Sequence, residues 1–337
     1  MSWLGALQAQ DYGGALWSIG LRMARSTECD IERAIAERAI VRTWPMRGTL
    51  HFVAAQDVRW LLALLTPRVI AQSAGRYRQL KLDDVTFVRS KEVFAKALHG
   101  GKQLTRDEML KQLEQADIST AGQRGYHLLV RSAQDGLICF GARRGKQQTF
   151  TLLDEWIPQT KPLAHDEALA ELTRRYFAGH GPATLQDLMR WAGITTAEAN
   201  IGLEAVGKEL MQETIADRVY WMSSDTADLS SGMETAHLLP GFDEYLLGYS
   251  DRSAVLDPAY AQRICPGGNG MFSPTIVIDG SVVGTWKRTV KKGTLAIDLA
   301  SFQSLTAAEN SAVSAAAERY GDYLGMPAVL THASSAQ

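Results

Sequence analysis

A succession of three helices and a two-stranded hairpin between residues 88 and 156 is the feature that most constrains the fold. Gly100 and Gly101 end the first helix, as glycine commonly does. Thr105, with Glu108 three residues later, begins the second with a capping box. The pattern predicts helices at Lys91–Leu98, after Thr105 and at Gln123–Ala133, and strands at Gly136–Phe140 and Gln147–Leu153 around the basic loop Gly141–Lys146. This is the element order of a winged helix, with the basic loop as its wing.

The same plan recurs between residues 163 and 222. The pattern predicts a helix at Asp166–Ala178, helices that begin at Thr184 and at Thr195 or Thr196, and strands at Leu210–Ile215 and Arg218–Met222. The turn between these strands, Ala216-Asp217, has no basic residue. We therefore interpret this copy as structural more than DNA-facing.

Residues 1–80 fit a third copy of the plan. The pattern predicts a helix at Ile31–Arg38, strands at Ile40–Trp44 and Thr49–Val53, a wing at Pro45–Gly48 and a linking helix at Trp60–Tyr77. Winged-helix domains are thus predicted at residues 1–80, 88–156 and 163–222.

The pattern changes after a polar linker, Ser223–Gly232. Short strands follow, and Asp279-Gly280 between two β-branched runs is a strong signal for a two-residue hairpin. A closing helix is predicted at Thr306–Tyr320, ending at Gly321. Residues 233–330 are therefore predicted as a β-barrel-like domain with a terminal helix, and the whole chain as α+β.

Composition excludes several classes of protein. The chain has 337 residues, of which 46% are hydrophobic, and no apolar run long enough to span a membrane. We expect a cytoplasmic protein, since no signal peptide is recognisable at the N-terminus. Cys29, Cys139 and Cys265 are far apart and form no Cys-x-x-Cys pair, so neither a disulfide framework nor a structural zinc site is predicted.

The net charge of −2 argues against nucleic acid as a partner, but charge is unevenly distributed. The local balance is +4 over residues 121–150 and again over residues 284–293. Ordinary solvated loops are the alternative explanation for both clusters. We nevertheless predict DNA contacts from the third helix and wing of the 88–156 domain and from the second cluster: Arg124, Arg131, Arg143, Arg144, Lys146, Lys287 and Arg288.

Two glutamines near the N-terminus, Gln8 and Gln10, suggest a site. In extended backbone their side chains point the same way, so both carboxamides can converge on one small polar ligand such as water. The alternative is a surface turn, or an amphipathic helix whose polar face happens to hold two glutamines. Arg47, Thr49 and His51 belong to the same predicted domain and are candidate supporting residues, although a single histidine on a strand is more often structural.

Several separated motifs coincide with those of one family. They are Gly5–Asp11, Arg47–His51, Leu238–Arg252, Phe272–Thr275 and Gly284–Arg288 with Asp279-Gly280. In these motifs, and in their order, the chain resembles the AlkZ-type winged-helix DNA glycosylases, also called the AlkZ/YcaQ family. Within Leu238–Arg252, Asp243, Asp251 and Arg252 are spaced unlike metal ligands, and we interpret them as a structural salt-bridged turn.

The resemblance implies three tandem winged-helix domains and a C-terminal β-barrel that together hold DNA. It also implies removal of alkylated purines, including unhooking of interstrand crosslinks. Gln8-Ala9-Gln10 matches the catalytic Gln-x-Gln of one branch of the family. Family members usually have a helix before this motif, whereas Met1 lies only seven residues upstream here, so we expect either a misassigned start or an incomplete first winged helix.

The chemistry agrees with these residues. An N7-alkylated purine is already cationic and can leave without protonation, so two oriented carboxamides need only position a water. We predict a monofunctional, monomeric DNA glycosylase that acts on double-stranded DNA with alkylated purines and needs no metal or organic cofactor. The alternative is a non-catalytic winged-helix regulator, which would normally dimerise on spaced half-sites.

Overall fold

The computed structural model describes residues 1–224, 235–268, 270–291 and 293–332. The chain is α+β, as predicted, and divides into two compact units. The first unit comprises residues 1–9 and 32–224, and the second comprises residues 10–31 and 225–337. This division is coarser than the four predicted domains, whose boundaries stay a prediction. It falls between Ala9 and Gln10, so it separates the two candidate glutamines.

The helices follow the capping signals closely. Thr105, Thr184, Thr195 and Thr306 each accept a hydrogen bond from the backbone N–H three residues later, which satisfies a donor that the helix leaves unpaired. The α-helices are α1 (Tyr12–Leu21), α2 (Glu28–Ala36), α3 (Val58–Gln72), α4 (Ala74–Gln79), α5 (Asp84–Leu98), α6 (Arg106–Gln115), α7 (Arg124–Gln134), α8 (Leu153–Trp156), α9 (His165–His180), α10 (Leu185–Ala192), α11 (Thr196–Val206), α12 (Glu244–Leu247), α13 (Ala261–Ile264) and α14 (Ala307–Leu324).

The strands form four sheets. They are β1 (Leu7–Gln8), β2 (Ile40–Met46), β3 (Thr49–Ala54), β4 (Leu104–Thr105), β5 (Ile138–Phe140), β6 (Thr149–Leu152), β7 (Leu210–Ile215), β8 (Arg218–Ser223), β9 (Ala236–Leu239), β10 (Thr275–Ile278), β11 (Ser281–Lys291), β12 (Thr294–Ser301) and β13 (Ala328–His332). The first unit contains the sheets β1-β3-β2, β4-β6-β5 and β7-β8. The second contains β13-β12-β11-β10-β9, an order that is open and, over the described strands, forms no closed barrel.

One hydrophobic core cluster of the first unit lies between α5, α6, α7 and the strands beside them. Its centre is apolar and fully or almost fully buried, and includes Phe94, Leu98, Met109, Leu113 and Leu128. Burial of these side chains stabilises the helix–hairpin arrangement that the sequence indicated. Within the described part of the chain, no helix is long and apolar enough to cross a membrane.

Some predicted elements were wrong. Helix α1 was not predicted at all, because its Gly-rich sequence shows little amphipathic periodicity. The predicted wing at Pro45–Gly48 is a two-residue turn, Arg47-Gly48, because β2 continues through Met46. The closing helix passes Gly321 and ends at Leu324, where Gly325 adopts a left-handed conformation (φ 63°).

Two other predictions concern the C-terminal part of the chain. The basic cluster at residues 284–293 belongs mainly to strand β11 rather than to a loop, so Lys287 and Arg288 lie on a strand. The polar linker predicted at Ser223–Gly232 lies, from residue 225 onward, outside the described residues.

Candidate active site

The register of the first sheet places Gln8, His51 and Thr43 side by side. Strand β3 lies between β1 and β2, with His51 paired to Gln8 on one side and to Thr43 on the other. Residues directly opposite each other in a sheet project from the same face, so the three side chains form a polar row. Gln8 is 8% exposed, and His51 and Thr43 are fully buried. The extended conformation expected at Gln8 is confirmed.

Arg47 reaches this row from the turn between β2 and β3. Both turn residues have positive φ, 53° at Arg47 and 72° at Gly48, as in the type I′ turns that close hairpins. The Arg47 Nη2 donates to Gln8 Oε1 at 3.2 Å and lies 3.4 Å from His51 Nε2. Its Nη1 donates to the carbonyl of Trp191, at the end of α10. The guanidinium therefore connects the turn, the glutamine and a helix of the segment at residues 163–222.

These contacts fix the tautomer of His51. Its Nδ1 lies 3.0 Å from the carbonyl oxygen of Thr49, which can only accept, so Nδ1 holds the proton. Arg47 can only donate, so the Nε2 that faces it is an acceptor. By the same reasoning the carboxamide of Gln8 turns its oxygen toward Arg47.

A side chain on the opposite face of the sheet, that of Arg42, binds the backbone of the Gln-x-Gln segment. Arg42 donates to the carbonyl of Ala9 from Nη2 at 2.7 Å and from Nε at 3.2 Å. The Ala9 N–H donates to the carbonyl of Leu50 at 2.7 Å. Arg42 is itself buried and packs over the ring of Phe140 at 4.9 Å. The Ala9 backbone is therefore hydrogen-bonded at both its carbonyl and its N–H.

Gln10 differs from Gln8 in its surroundings. It is exposed, belongs to the second unit and directly precedes Asp11, the N-cap of α1. Thr49, the remaining predicted site residue, directs its hydroxyl to the carbonyl of Met46 at 3.5 Å. The structure thus brings together Gln8, Arg47 and His51 within the first unit, and uses Thr49 in the turn.

Sequence reasoning did not identify Thr43 or Arg42 as neighbours of the site. The sequence did contain a signal for these neighbours. Arg42 and Thr43 are consecutive residues of a predicted strand, so their side chains point to opposite faces of the sheet, and the strand that pairs with it was also predicted. The pairing was obscured because the register shifts between Thr43 and Met46, where Pro45 has no N–H to donate to the ladder.

Comparisons with known proteins identify the family of this chain. The family model "DNA glycosylase AlkZ-like" matches residues 1–323. The chain belongs to the AlkZ-like DNA glycosylase family. The predicted class of enzyme, a hydrolase acting on N-glycosyl bonds, is thereby confirmed, and membership implies DNA binding.

Similarity to Streptomyces sahachiroi is found both among curated proteins and among solved structures. The interstrand DNA cross-link repair glycosylase is 28% identical over 305 residues, which is 83% of this chain and 79% of that protein. The solved structure of the DNA glycosylase AlkZ has a TM-score of 0.78 at 25% identity, covering 98% of this chain and 92% of the other.

As a member of the AlkZ-like family, the chain needs cations that face DNA, but several predicted ones are held by internal partners. Arg124 donates to the carbonyls of Leu80, of Lys81 at 2.7 Å and of Ser119 at 2.9 Å. Arg131 pairs with Asp135 at 2.9 Å. Such contacts orient each guanidinium toward the protein, and the role of both arginines as phosphate ligands stays a prediction.

The predicted wing contains two arginines that form ion pairs and a lysine that is exposed. Arg143 pairs with Glu32 at 2.6 Å and Arg144 with Glu108 at 2.9 Å. Lys146, between them and β6, is exposed. On β11, Lys287 and Arg288 are both exposed, and Arg288 donates to the hydroxyl of Tyr320.

The carboxylate of Asp243 has a structural role, although its partner was not predicted. It is buried and forms an ion pair with Arg22 of α1 at 2.7 Å, within the second unit. Its Oδ1 also accepts from the Tyr245 backbone at 2.9 Å, as an N-cap of α12. Among the described residues, no group of three or more His, Cys, Asp or Glu side chains is arranged to hold a metal ion.

Proposed function

We propose that this protein is a monofunctional DNA glycosylase that hydrolyses the N-glycosidic bond of N7-alkylated, cationic purines. Gln8 and Gln10 position the attacking water. Arg47 and His51 fix Gln8, and Thr49 shapes the turn that places Arg47. The observation that supports this most is the hydrogen bond from Arg47 to Gln8 Oε1, which gives a buried carboxamide one fixed orientation.

The polar row suits a substrate that needs little acid–base assistance. When the bond between C1′ and N9 breaks, its electron pair cancels the positive charge of the N7-alkylated base, which leaves as a neutral molecule. Water then forms the new bond to C1′ and releases its proton to solvent. Two carboxamides can orient this water through hydrogen bonds without accepting the proton themselves. A neutral purine is a poorer leaving group, so it should react far more slowly.

Interstrand crosslinks are a second proposed substrate. The similar Streptomyces sahachiroi protein is named for crosslink repair, and a crosslink through N7 leaves each attached purine cationic. Enzymes that act on a base usually extrude it from the helix, which a tethered base restricts. We propose that tandem winged-helix domains and a barrel-like C-terminal domain hold the duplex, and that the protein acts as a cytoplasmic monomer.

The proposed DNA surface includes Lys146 and Lys287, which are exposed, together with Arg124, Arg131, Arg143, Arg144 and Arg288. Each phosphate contact releases counterions, so affinity should fall as salt concentration rises. We expect the two exposed lysines to contribute most to DNA affinity. The five arginines, by contrast, donate to carbonyl, carboxylate or hydroxyl groups of the protein itself.

Release of base from a duplex with a single N7-methylguanine tests the function. We expect the protein to release the damaged base and leave an abasic site without cutting the strand. Undamaged duplex of the same sequence serves as the control substrate, and a duplex with an N7-linked interstrand crosslink tests the second substrate. Tight binding to undamaged DNA of one particular sequence, with no base release from either lesion, would contradict the proposal and favour a regulator.

A further inference from the structure

Helix α1, which has ten residues, is closely packed within the second unit. All residues from Gly14 to Gly20 are buried. Two of these glycines allow close approach: a Cβ at Gly14 would lie 3.2 Å from Pro240, and one at Gly20 would lie 2.5 Å from the Tyr323 ring. No larger residue fits at Gly20 without moving the helix or the ring. Helix α1 therefore has one closely defined position against its neighbours.

Trp17, on the same helix, is fixed by both its ring and its N–H. The indole Nε1 donates to the carbonyl of Leu238 at 2.7 Å. Its ring centroid lies 4.6 Å from that of Tyr320 and 4.8 Å from that of Tyr323. These contacts combine apolar burial with a directional hydrogen bond, so they determine the rotation of α1 about its axis as well as its distance from α14.

An ion pair with a buried carboxylate fixes the C-terminal end of the helix. Arg22 donates to Asp243 through two parallel bonds, Nη2 to Oδ1 at 2.7 Å and Nη1 to Oδ2 at 2.9 Å. Ser18 donates to the same Oδ2 at 2.5 Å. Such a bidentate pair has a strict geometry, and a lysine cannot reproduce it. We call Trp17, Ser18, Arg22 and Asp243 the α1 anchor.

The N-terminal end of the anchored helix is where Gln10 lies. Gln10 precedes the N-cap residue Asp11, so the direction and position of α1 determine where its backbone begins. Gln8, by contrast, is fixed by sheet pairing in the first unit. We propose that the α1 anchor is a positioning device for Gln10, and that Arg22 and Asp243 are positioning residues for base release although neither contacts the reacting atoms. This inference rests on the proposed catalytic role of Gln10.

Asp243→Asn is the most informative substitution. It removes one of the two carboxylate oxygens that bind Arg22 and Ser18, so α1 loses its fixed position. It also removes a negative charge, which cannot weaken DNA binding electrostatically. We expect the single-turnover rate of base release to fall about tenfold, since small misplacements of a catalytic group cost one to two orders of magnitude. The Kd for the same duplex should stay within about twofold of the parent.

A comparison in two backgrounds separates positioning from a general structural effect. If Asp243 acts through Gln10, Asp243→Asn should lower the rate in the parent but hardly at all in Gln10→Ala, because the group that it positions is already absent. Val313→Ala is a matched control: Val313 is buried in α14 of the second unit and does not belong to the anchor. It should lower the midpoint of thermal unfolding and leave the rate nearly unchanged.

Arg22→Lys serves as the second variant should Asp243→Asn fail to fold. It keeps the positive charge and one hydrogen bond but not the bidentate geometry, and should lower the rate less than Asp243→Asn. Equal losses in the parent and Gln10→Ala backgrounds, a loss matched by Val313→Ala, or no loss would each overturn the positioning role while leaving the proposed function intact. Absence of base release by the parent would overturn both.

Discussion

Gln8 and Gln10 are two residues apart, yet different parts of the molecule determine their positions. Gln8 is buried in a three-stranded sheet, and Arg47 holds its oxygen. Gln10 is exposed and precedes the N-cap residue of α1, a helix of the second unit. The sequence spacing of a motif therefore does not say how each of its members is held. A short motif can depend on side chains far along the chain, here Arg47 for one glutamine and Asp243 for the other.

Single replacement of each glutamine tests this comparison with the largest expected effect. Gln8→Ala and Gln10→Ala should each lower the single-turnover rate of N7-methylguanine release by about 10²-fold, the lower end of what a positioned proton-transfer or water-orienting group contributes. Gln8→Ala should also lower thermal stability, because it removes a buried acceptor of Arg47. Gln10→Ala should not.

The exposed Gln159 provides the control, since Gln159→Ala removes a carboxamide far along the sequence from the motif. Its rate and unfolding midpoint should equal those of the parent. Equal loss of stability in Gln8→Ala and Gln10→Ala would contradict the view that only Gln8 is held within a packed sheet.

Arg47→Lys tests how Gln8 is oriented. Lysine keeps the charge but cannot bond Gln8 Oε1 and the Trp191 carbonyl in the same planar geometry. We expect a loss of about tenfold in the single-turnover rate with little change in Kd for DNA. Arg190→Lys is the matched control, because Arg190 is exposed on α10. A similar loss in both variants would show that the guanidinium of Arg47 has no special role.

Lys146→Ala compared with Arg124→Ala separates exposed from internally bonded cations. Lys146→Ala should weaken binding to duplex DNA about threefold and lower the salt dependence by about one counterion. Arg124→Ala should instead lower the unfolding midpoint, because three carbonyls lose their donor. Fluorescence anisotropy at several salt concentrations measures the first effect. A steeper loss of DNA affinity in Arg124→Ala would reverse this assignment.

The smallest expected effect is a change in how the stability of the protein depends on pH, and it involves His237 of the second unit. Burial lowers the pKa of His237, the nearby Arg319 and Arg22 lower it further, and Asp243 opposes them. The unfolded chain therefore binds a proton below a pH of about 6.5 that the folded chain resists, so stability is lost as pH falls below that value. His237→Gln should reduce the drop in unfolding midpoint between about pH 7.5 and 5.5.

Some acid sensitivity should persist in His237→Gln. The pKa of His127, in the first unit, is also lowered, by burial and then by Arg76. A variant with the same acid dependence as the parent would show that the neutral state of His237 does not contribute to stability.

The sequence predicted the helices and hairpins best where local chemistry determines them. Thr184 and Thr195 fixed two helix starts, and Ala216-Asp217 fixed the turn between β7 and β8. Gln8 was rightly placed in extended backbone. In each case the deciding interactions lie within a few residues of one another, so a sequence pattern records them.

The parts that were not predicted depend on pairing over long distances. The register that places Thr43 beside His51 includes a shift next to Pro45. The ion pair between Arg22 and Asp243 joins residues 221 positions apart, and nothing local to either indicates the other. Helix α1 was missed because glycines that permit close packing also weaken the helical signal. Site geometry is therefore less predictable than element order.

The most direct test of the account is single-turnover release of N7-methylguanine by the parent and by the double variant Gln8→Ala/Gln10→Ala, with a duplex that contains a neutral lesion, hypoxanthine, as a second substrate. If Gln8 and Gln10 position the water, the parent should release N7-methylguanine rapidly and hypoxanthine hardly at all. The double variant should fold and bind DNA but release no base. Full activity of the double variant would contradict the account, because another group would then position the water.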